Sequence, residues 1–154
     1  MKHSMKGVFL VAALSVAYAA QAQNSSVVSA FNYMGDGNYA KAIEYIEPAI
    51  TNDATVGKEK TWRYRGQIYA AIAMGTDETL KTQFPEATQK AIESYIKANE
   101  LDPKGSYKEE NDQALRNLQI TALNGGNDAF NKKDYDKAIA GYAQSESIAK
   151  AFGQ

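Results

Sequence analysis

An all-α fold built from antiparallel helix pairs is predicted for this chain by two features of its sequence. After the first 22 residues, no run of alternating β-branched residues occurs, whereas Ala, Glu, Lys and Gln are spread throughout. Turn-forming residues at 35–38 (Gly-Asp-Gly-Asn) and 132–134 (Lys-Lys-Asp) also interrupt the chain where short helix-to-helix connections fit. We therefore expect helices that pair with their neighbours.

The first 22 residues have the features of a secretory signal peptide. Lys2 and Lys6 precede an apolar run from Val8 to Ala20, and Ala20-Gln21-Ala22 is a small-x-small cleavage site. A membrane anchor is the alternative, but this run is shorter than the roughly 20 residues that a spanning helix needs. A lipoprotein would need a cysteine, and the chain has none. The mature chain is therefore expected to be periplasmic or secreted.

The mature chain, residues 23–154, has few side chains suited to catalysis. It contains no cysteine, and the single histidine, His3, is removed with the signal peptide. Catalytic triads, thiolate chemistry and the usual zinc sites need one of those groups and are excluded. Of the 17 basic residues, 15 remain after Lys2 and Lys6 are lost, against 18 acidic ones, so the net charge is about −3 and gives no nucleic-acid-binding signature. The sequence predicts a non-catalytic protein without cofactor or metal.

Six helices in three pairs are predicted for the mature chain, which we expect to be one domain with pairs at about 23–55, 58–104 and 106–154. Their predicted bounds are Ser25 to Met34, Tyr39 to Thr51, Lys58 to Ala73, Pro85 to Leu101, Lys108 to Asn131 and Tyr135 to Ala151. Pro85 suits a first helical turn because its missing N–H has no partner there. Asp134 can cap the helix that follows it.

One pattern of small and large apolar residues occurs in the second helix of each pair. Its copies are Ala42-Ile43-x2-Ile46-x2-Ala49, Ala91-Ile92-x2-Tyr95-x2-Ala98 and Ala138-Ile139-x2-Tyr142-x2-Ser145. Spacings of one, three and four place these side chains on one helix face. The first helix of each pair carries a matching small residue, which is Ala30, Gly66 or Gly126. Close packing of the two helices of each pair is the expected result.

This repeat resembles the tetratricopeptide repeat (TPR). The middle copy carries the resemblance through Trp62, Gly66, Tyr69, Ala91, Tyr95, Ala98 and Pro103, and the last copy through Gly126, Asn127, Asp134, Tyr135, Ala138 and Tyr142. Arg65 departs from the family pattern, where leucine is usual, and the first pair lacks both the tryptophan and the glycine. The resemblance implies a TPR-like α-solenoid, a right-handed array of three antiparallel helix pairs.

Insertions separate the three copies. Ala42 and Ala91 are 49 residues apart, and Ala91 and Ala138 are 47 apart, against about 34 in the family. The extra residues lie near 74–84 and in an extension of the fifth helix over 107–123. A longer connection and a longer helix should distort the regular superhelix.

The resemblance also implies a binding surface, because the first helix of each TPR pair lines a concave groove that receives a peptide or protein segment. The residues implied for this groove are Lys60, Arg63, Gln67, Asn127, Phe130 and Asn131. An arginine can hold a carboxylate and amides can bond an extended backbone. The expected function is therefore protein binding in the cell envelope. A solvated polar face is the alternative interpretation of the same residues.

Two other functions are left open by the sequence. An accessory or glycan-binding subunit would use Tyr64 and the insertion near 74–84. An enzyme would need buried carboxylate pairs, for which Glu44 with Glu47 and Glu109 with Glu110 are the options. Both pairs fall on polar helix faces, so solvated side chains are the favoured interpretation.

The last helix pair has no clearly polar capping helix after it, although terminal repeats normally need one. We therefore expect Ile139, Tyr142 and Ile148 to be partly uncovered and to contact another chain, with self-association as one form of that contact. A shortened natural sequence would give the same pattern.

Overall fold

The structure, a computed structural model, describes residues 25–152. Over this range the chain forms helices, turns and bends but no β-strand, which confirms the predicted all-α class. The predicted signal peptide, residues 1–22, lies outside the described residues. None of the described helices is both long enough and apolar enough to span a bilayer.

Seven α-helices and one 3-10 helix make up the regular structure of residues 25–152. In chain order they are α1 (25–35), α2 (Tyr39–Ile46), the 3-10 helix (Pro48–Ile50), α3 (Glu59–Met74), α4 (Glu78–Gln83), α5 (Ala87–Glu100), α6 (Lys108–Asn131) and α7 (Tyr135–Phe152). All six predicted helices are present, and the insertion near 74–84 contains the additional helix α4. The chain divides into two compact units between Gly57 and Lys58.

Two helix ends near prolines differ from the prediction. Pro85 was expected in the first turn of its helix, but α5 begins at Ala87, and Glu86 is its N-cap residue. α2 ends at Ile46, and the chain continues as the 3-10 turn Pro48–Ile50. Pro48 has no N–H to donate to the carbonyl four residues earlier, so the α-helix cannot continue through it.

In the first unit, α1 and α2 form a helical hairpin. The turn between them needs Gly37, whose φ is 74°. The Asn38 N–H donates to the Tyr33 carbonyl at 2.8 Å, and the Asn38 side-chain oxygen accepts the Lys41 N–H at 3.2 Å, which caps α2. The Tyr33 and Tyr45 rings stack across the hairpin at a centroid distance of 5.3 Å.

In the second unit, α3 packs against α5 and α6 packs against α7. A Cβ at Gly66 would lie 3.0 Å from the Tyr95 ring, and a Cβ at Gly126 would lie 2.9 Å from the Tyr142 ring. A small residue in the first helix thus faces the large residue of the second helix in both hairpins. The predicted close packing is confirmed for these two pairs.

The two large aromatic residues of α3 that carry the TPR resemblance differ in burial. Tyr69 is fully buried, whereas Trp62 is only half-buried. Arg65, where leucine is usual in TPRs, is 5 % exposed, and its Nη1 donates to the Ser94 hydroxyl at 2.8 Å. Its guanidinium carbon lies 5.1 Å from the centroid of the Tyr69 ring. A buried cation is tolerated here because hydrogen bonds and aromatic faces replace water.

Asp134 caps α7, as predicted. Its Oδ1 accepts the Lys137 N–H at 3.3 Å, and its Oδ2 lies 3.0 Å from Lys137 Nζ. The side-chain and then the backbone hydrogen bond of Lys137 lower the pKa of the Asp134 carboxyl from its usual value. A carboxyl with a lowered pKa in the folded state stabilises the protein above its unfolded pKa, and this contribution is lost as the pH falls through the folded pKa.

The melting temperature of the protein should therefore fall on acidification from about pH 6 to about pH 2.5, and it should fall less in the Asp134→Asn variant. Asparagine keeps the oxygen that caps the helix but does not titrate. Thermal melts followed by circular dichroism at the two pH values measure both changes. An equal fall in the two proteins would contradict the assigned role of this carboxylate.

Candidate interaction surface

The residues predicted to line one groove fall into two separate groups. Lys60, Arg63 and Gln67 lie on α3, and Asn127, Phe130 and Asn131 lie near the end of α6. α3 contacts α6 near its beginning, where Gln67 Nε2 donates to Glu110 Oε1 at 2.9 Å. A rise of about 1.5 Å per residue places Asn127 about 25 Å further along α6 than Glu110. The structure therefore brings together the members of each group, but it does not bring the two groups to one point.

Arg63 has partners within the chain. It is 8 % exposed, and its Nε donates to Glu59 Oε1 at 2.6 Å. Its guanidinium carbon lies 3.8 Å from the Tyr107 ring centroid and 5.0 Å from that of Tyr64. The Lys60 ammonium lies 5.3 Å from the Tyr64 centroid, and Tyr64 is 9 % exposed, so little of this ring is available for stacking on a sugar.

The beginning of α6 lies across both helices of the α3–α5 hairpin. Besides the Gln67–Glu110 hydrogen bond to α3, Asn99 Nδ2 on α5 donates to Asp112 Oδ1 at 2.8 Å. Burial and then the charge of Glu110 raise the pKa of the Tyr95 phenol on α5, while Arg63 acts in the opposite direction. Tyr95 is 3 % exposed. Arg63 and Gln67 of α3 thus take part in contacts within the chain.

The α6 group borders a larger apolar surface, which we call the terminal face. It consists of six large side chains that are 37–66 % exposed: Ile120, Leu123 and Phe130 of α6, and Tyr135, Ile139 and Tyr142 of α7. Their spacings of three, four and seven place each set on one side of its helix. The Tyr142 hydroxyl donates to Asn127 Oδ1 at 3.0 Å, and the Phe130 and Tyr135 rings meet edge to face at 5.9 Å. The two stripes therefore adjoin.

The α3–α5 hairpin has an equivalent face, and the aligned apolar residues of that face are buried. The repeat aligns Ile92 of α5 with Ile139 of α7, and Tyr95 with Tyr142. Ile92 and Tyr95 are 2 % and 3 % exposed, whereas Ile139 and Tyr142 are 66 % and 37 % exposed. Asn99 lies seven residues after Ile92, on the same side of α5, and it is bonded to α6. The side of α5 that faces α6 therefore corresponds to the side of α7 that is exposed.

The first helices of the two hairpins, α3 and α6, differ in side-chain exposure in the same way. The alignment of Gly66 with Gly126 places Ala70 opposite Phe130 and Gln67 opposite Asn127. Ala70 is 3 % exposed and Phe130 is 55 % exposed. Within residues 58–152 of the second unit, no segment takes on the α6–α7 hairpin the position that α6 takes on the α3–α5 hairpin.

Three members of the terminal face were missed by the sequence analysis, namely Ile120, Leu123 and Tyr135. The signal for Ile120 and Leu123 is the three-four-three spacing from Ile120 through Asn127 to Phe130, which marks one face of α6. The prediction that Ile139 and Tyr142 are exposed is confirmed, but the same prediction for Ile148 is wrong, because this residue is fully buried. Ile148 lies six residues after Tyr142, which at about 100° per residue turns it towards α6.

Two other places in the described chain offer less specific chemistry. A cleft of about 730 Å³ lies between α5, α6 and α7. Charged side chains that line it are paired with each other, Lys108 with Asp112 at 2.6 Å and Lys150 with Glu146 at 2.7 Å. Among residues 25–152, no group of three His, Cys, Asp or Glu residues could hold a metal ion. Glu109, from one of the two carboxylate pairs, is exposed, and its Oε1 lies 2.9 Å from an Arg116 nitrogen.

The fold and this surface define the class as an all-helical protein with an exposed apolar hairpin face. No protein-family model, no curated protein and no solved structure matches the chain. The resemblance to TPRs therefore depends on the repeat residues alone.

Proposed function

We propose that this chain is a non-catalytic, TPR-like helical scaffold that binds other proteins through the terminal face. The observation that carries the proposal is the contrast between two equivalent faces. On the α3–α5 hairpin, against which α6 packs, the aligned apolar residues are buried, and on the α6–α7 hairpin they are exposed. Since α6 is a helix, the partner that fits the exposed face is also helical, with an apolar stripe of its own.

The composition of the terminal face supports protein binding. Phe130, Tyr135 and Tyr142 are aromatic, and aromatic residues supply much of the binding energy at protein interfaces. Burying a large apolar side chain contributes roughly 1.5–3 kcal/mol. Ile139 and Phe130, at 66 % and 55 % exposed, therefore gain most from being covered.

The residues first predicted for a peptide groove have different parts in this proposal. Arg63 and Gln67 hold α6 against the preceding hairpin, through the Tyr107 ring and the Glu110 carboxylate. Asn127 and Phe130 belong to the terminal face or adjoin it. The predicted signal peptide supports a location of the scaffold and its partners in the cell envelope.

A photo-crosslinking amino acid at position 139 tests the proposal in cells that produce the protein. We expect a discrete crosslinked adduct of the variant with the crosslinker in place of Ile139, because this side chain lies in the middle of the α7 stripe. The matched control carries the crosslinker in place of Ser147, which is exposed on α7 but lies away from the stripe. No adduct at position 139, or the same adduct at both positions, would count against the terminal face.

A further inference from the structure

We infer that the helical partner of the terminal face is a second copy of the same chain, and that two α6–α7 hairpins meet face to face about a two-fold axis. This inference rests on the proposed function, because it uses the same surface. In such an isologous contact both copies present the same patch, so the patch must be complementary to itself.

The absence of charge on its two stripes makes the terminal face compatible with a second copy of itself. The stripe positions from Ile120 to Phe130, and those from Tyr135 to Tyr142, carry no charged residue. Two copies can therefore approach without like-charge repulsion, which costs several kcal/mol in mismatched interfaces.

The charges at the ends of the two stripes that lie away from the α6–α7 turn are paired. Arg116, one turn before Ile120, lies 2.9 Å from Glu109. Glu146, one turn after Tyr142, lies 2.7 Å from Lys150. These two ends therefore present ion pairs rather than an excess of one sign of charge, which is compatible with the approach of a second copy.

The size of the terminal face matches one side of a dimer interface. Its six exposed fractions together equal about three fully exposed large side chains, or roughly 600 Å² at about 200 Å² each. Asn127 and Asn131 are also exposed and add polar area beside the stripes. A standard interface buries about 800 Å² on each partner. An apolar patch of this size is at the upper end of what monomeric proteins expose.

Ile139 marks the expected centre of the contact. It is the most exposed of the six side chains, at 66 %, and it lies between Tyr135 and Tyr142 on α7. A residue close to a two-fold axis contacts its own copy across the interface. The two α7 helices should therefore cross at Ile139, and the two hairpins together form a layer of four helices.

Sedimentation of the purified protein from about 1 to about 500 µM tests this inference by mass action. We expect the wild-type protein to pass from monomer to dimer within this range. Ile139→Asp should raise the dissociation constant at least about tenfold, because it buries a charge at the axis. Ser147→Asp adds the same charge to the same helix away from the stripe, and it should leave the dissociation constant unchanged.

A second measurement covers the case in which Ile139→Asp fails to fold. The chain has no cysteine, so a single introduced cysteine reports on its own surroundings. Ile139→Cys should form a disulfide-linked dimer on mild oxidation, because a residue at the axis lies within bonding distance of its copy. Ser147→Cys should remain monomeric on a non-reducing gel.

The outcomes separate this inference from the proposed function. A wild-type protein that is monomeric throughout overturns the inference. So does a dimer whose dissociation constant Ile139→Asp leaves unchanged, or an Ile139→Cys variant that forms no disulfide-linked dimer. If the crosslinker at position 139 then captures a different protein, the terminal face still binds a partner, and only the identity of the partner was wrong. If it captures nothing, both proposals fail.

Discussion

Replacing Gly141 with alanine should lower the free energy of unfolding by about 2 kcal/mol. A Cβ at this position would lie 2.8 Å from the Cα and N of Gly126, and 2.9 Å from the Ala122 carbonyl oxygen. These atoms belong to the backbone of α6, so only a separation of α6 from α7 relieves the contact. Overpacking of this kind falls at the upper end of the usual cost of about 1–3 kcal/mol. Alanine regains about 1 kcal/mol through its higher helix propensity.

Gly125→Ala is the matched control for this experiment. Gly125 is an exposed position within α6, and an added Cβ would meet nothing within 4 Å. Only the helix-propensity gain acts there, so the variant should be more stable than wild type by about 0.5–1 kcal/mol. Urea denaturation followed by circular dichroism measures both changes. Equal shifts of the same sign in the two variants would mean that α6 and α7 do not approach as closely as described.

Local signals explain why the helices could be predicted from the sequence. α6 was expected from Lys108 to Asn131 and has those bounds, and Asp134 caps α7 as its side chain predicts. Each of these features depends on residues within a few positions of one another. Helix α4 was not predicted, although Asp77 caps it through hydrogen bonds to the Thr79 and Leu80 N–H groups at 2.9 and 3.1 Å.

The candidate site was less predictable, because exposure depends on which distant segment covers a residue. Arg63 has a side chain well suited to a peptide carboxylate, but Glu59 and the Tyr107 ring take up its guanidinium. Ile148 and Ile139 are both apolar residues of α7, yet Ile148 faces α6 and is buried while Ile139 is 66 % exposed. Residue type indicates what a side chain can bind, whereas the tertiary packing decides whether its partner lies inside the chain.

The matched substitutions Ile92→Ala and Ile139→Ala test the difference in burial between the two hairpins, on which the proposed function depends. Both residues occupy the same position of the repeat, at 2 % and 66 % exposed respectively.

Ile92→Ala should lower the free energy of unfolding by about 3 kcal/mol, since removing a buried isoleucine side chain leaves a cavity in the core. Ile139→Ala should change it by less than about 0.5 kcal/mol, as is usual for an exposed site. Urea denaturation at a protein concentration too low for self-association measures the two effects on the monomer. Comparable losses in both variants would mean that some part of the chain already covers Ile139, and the terminal face could then not serve as the docking surface.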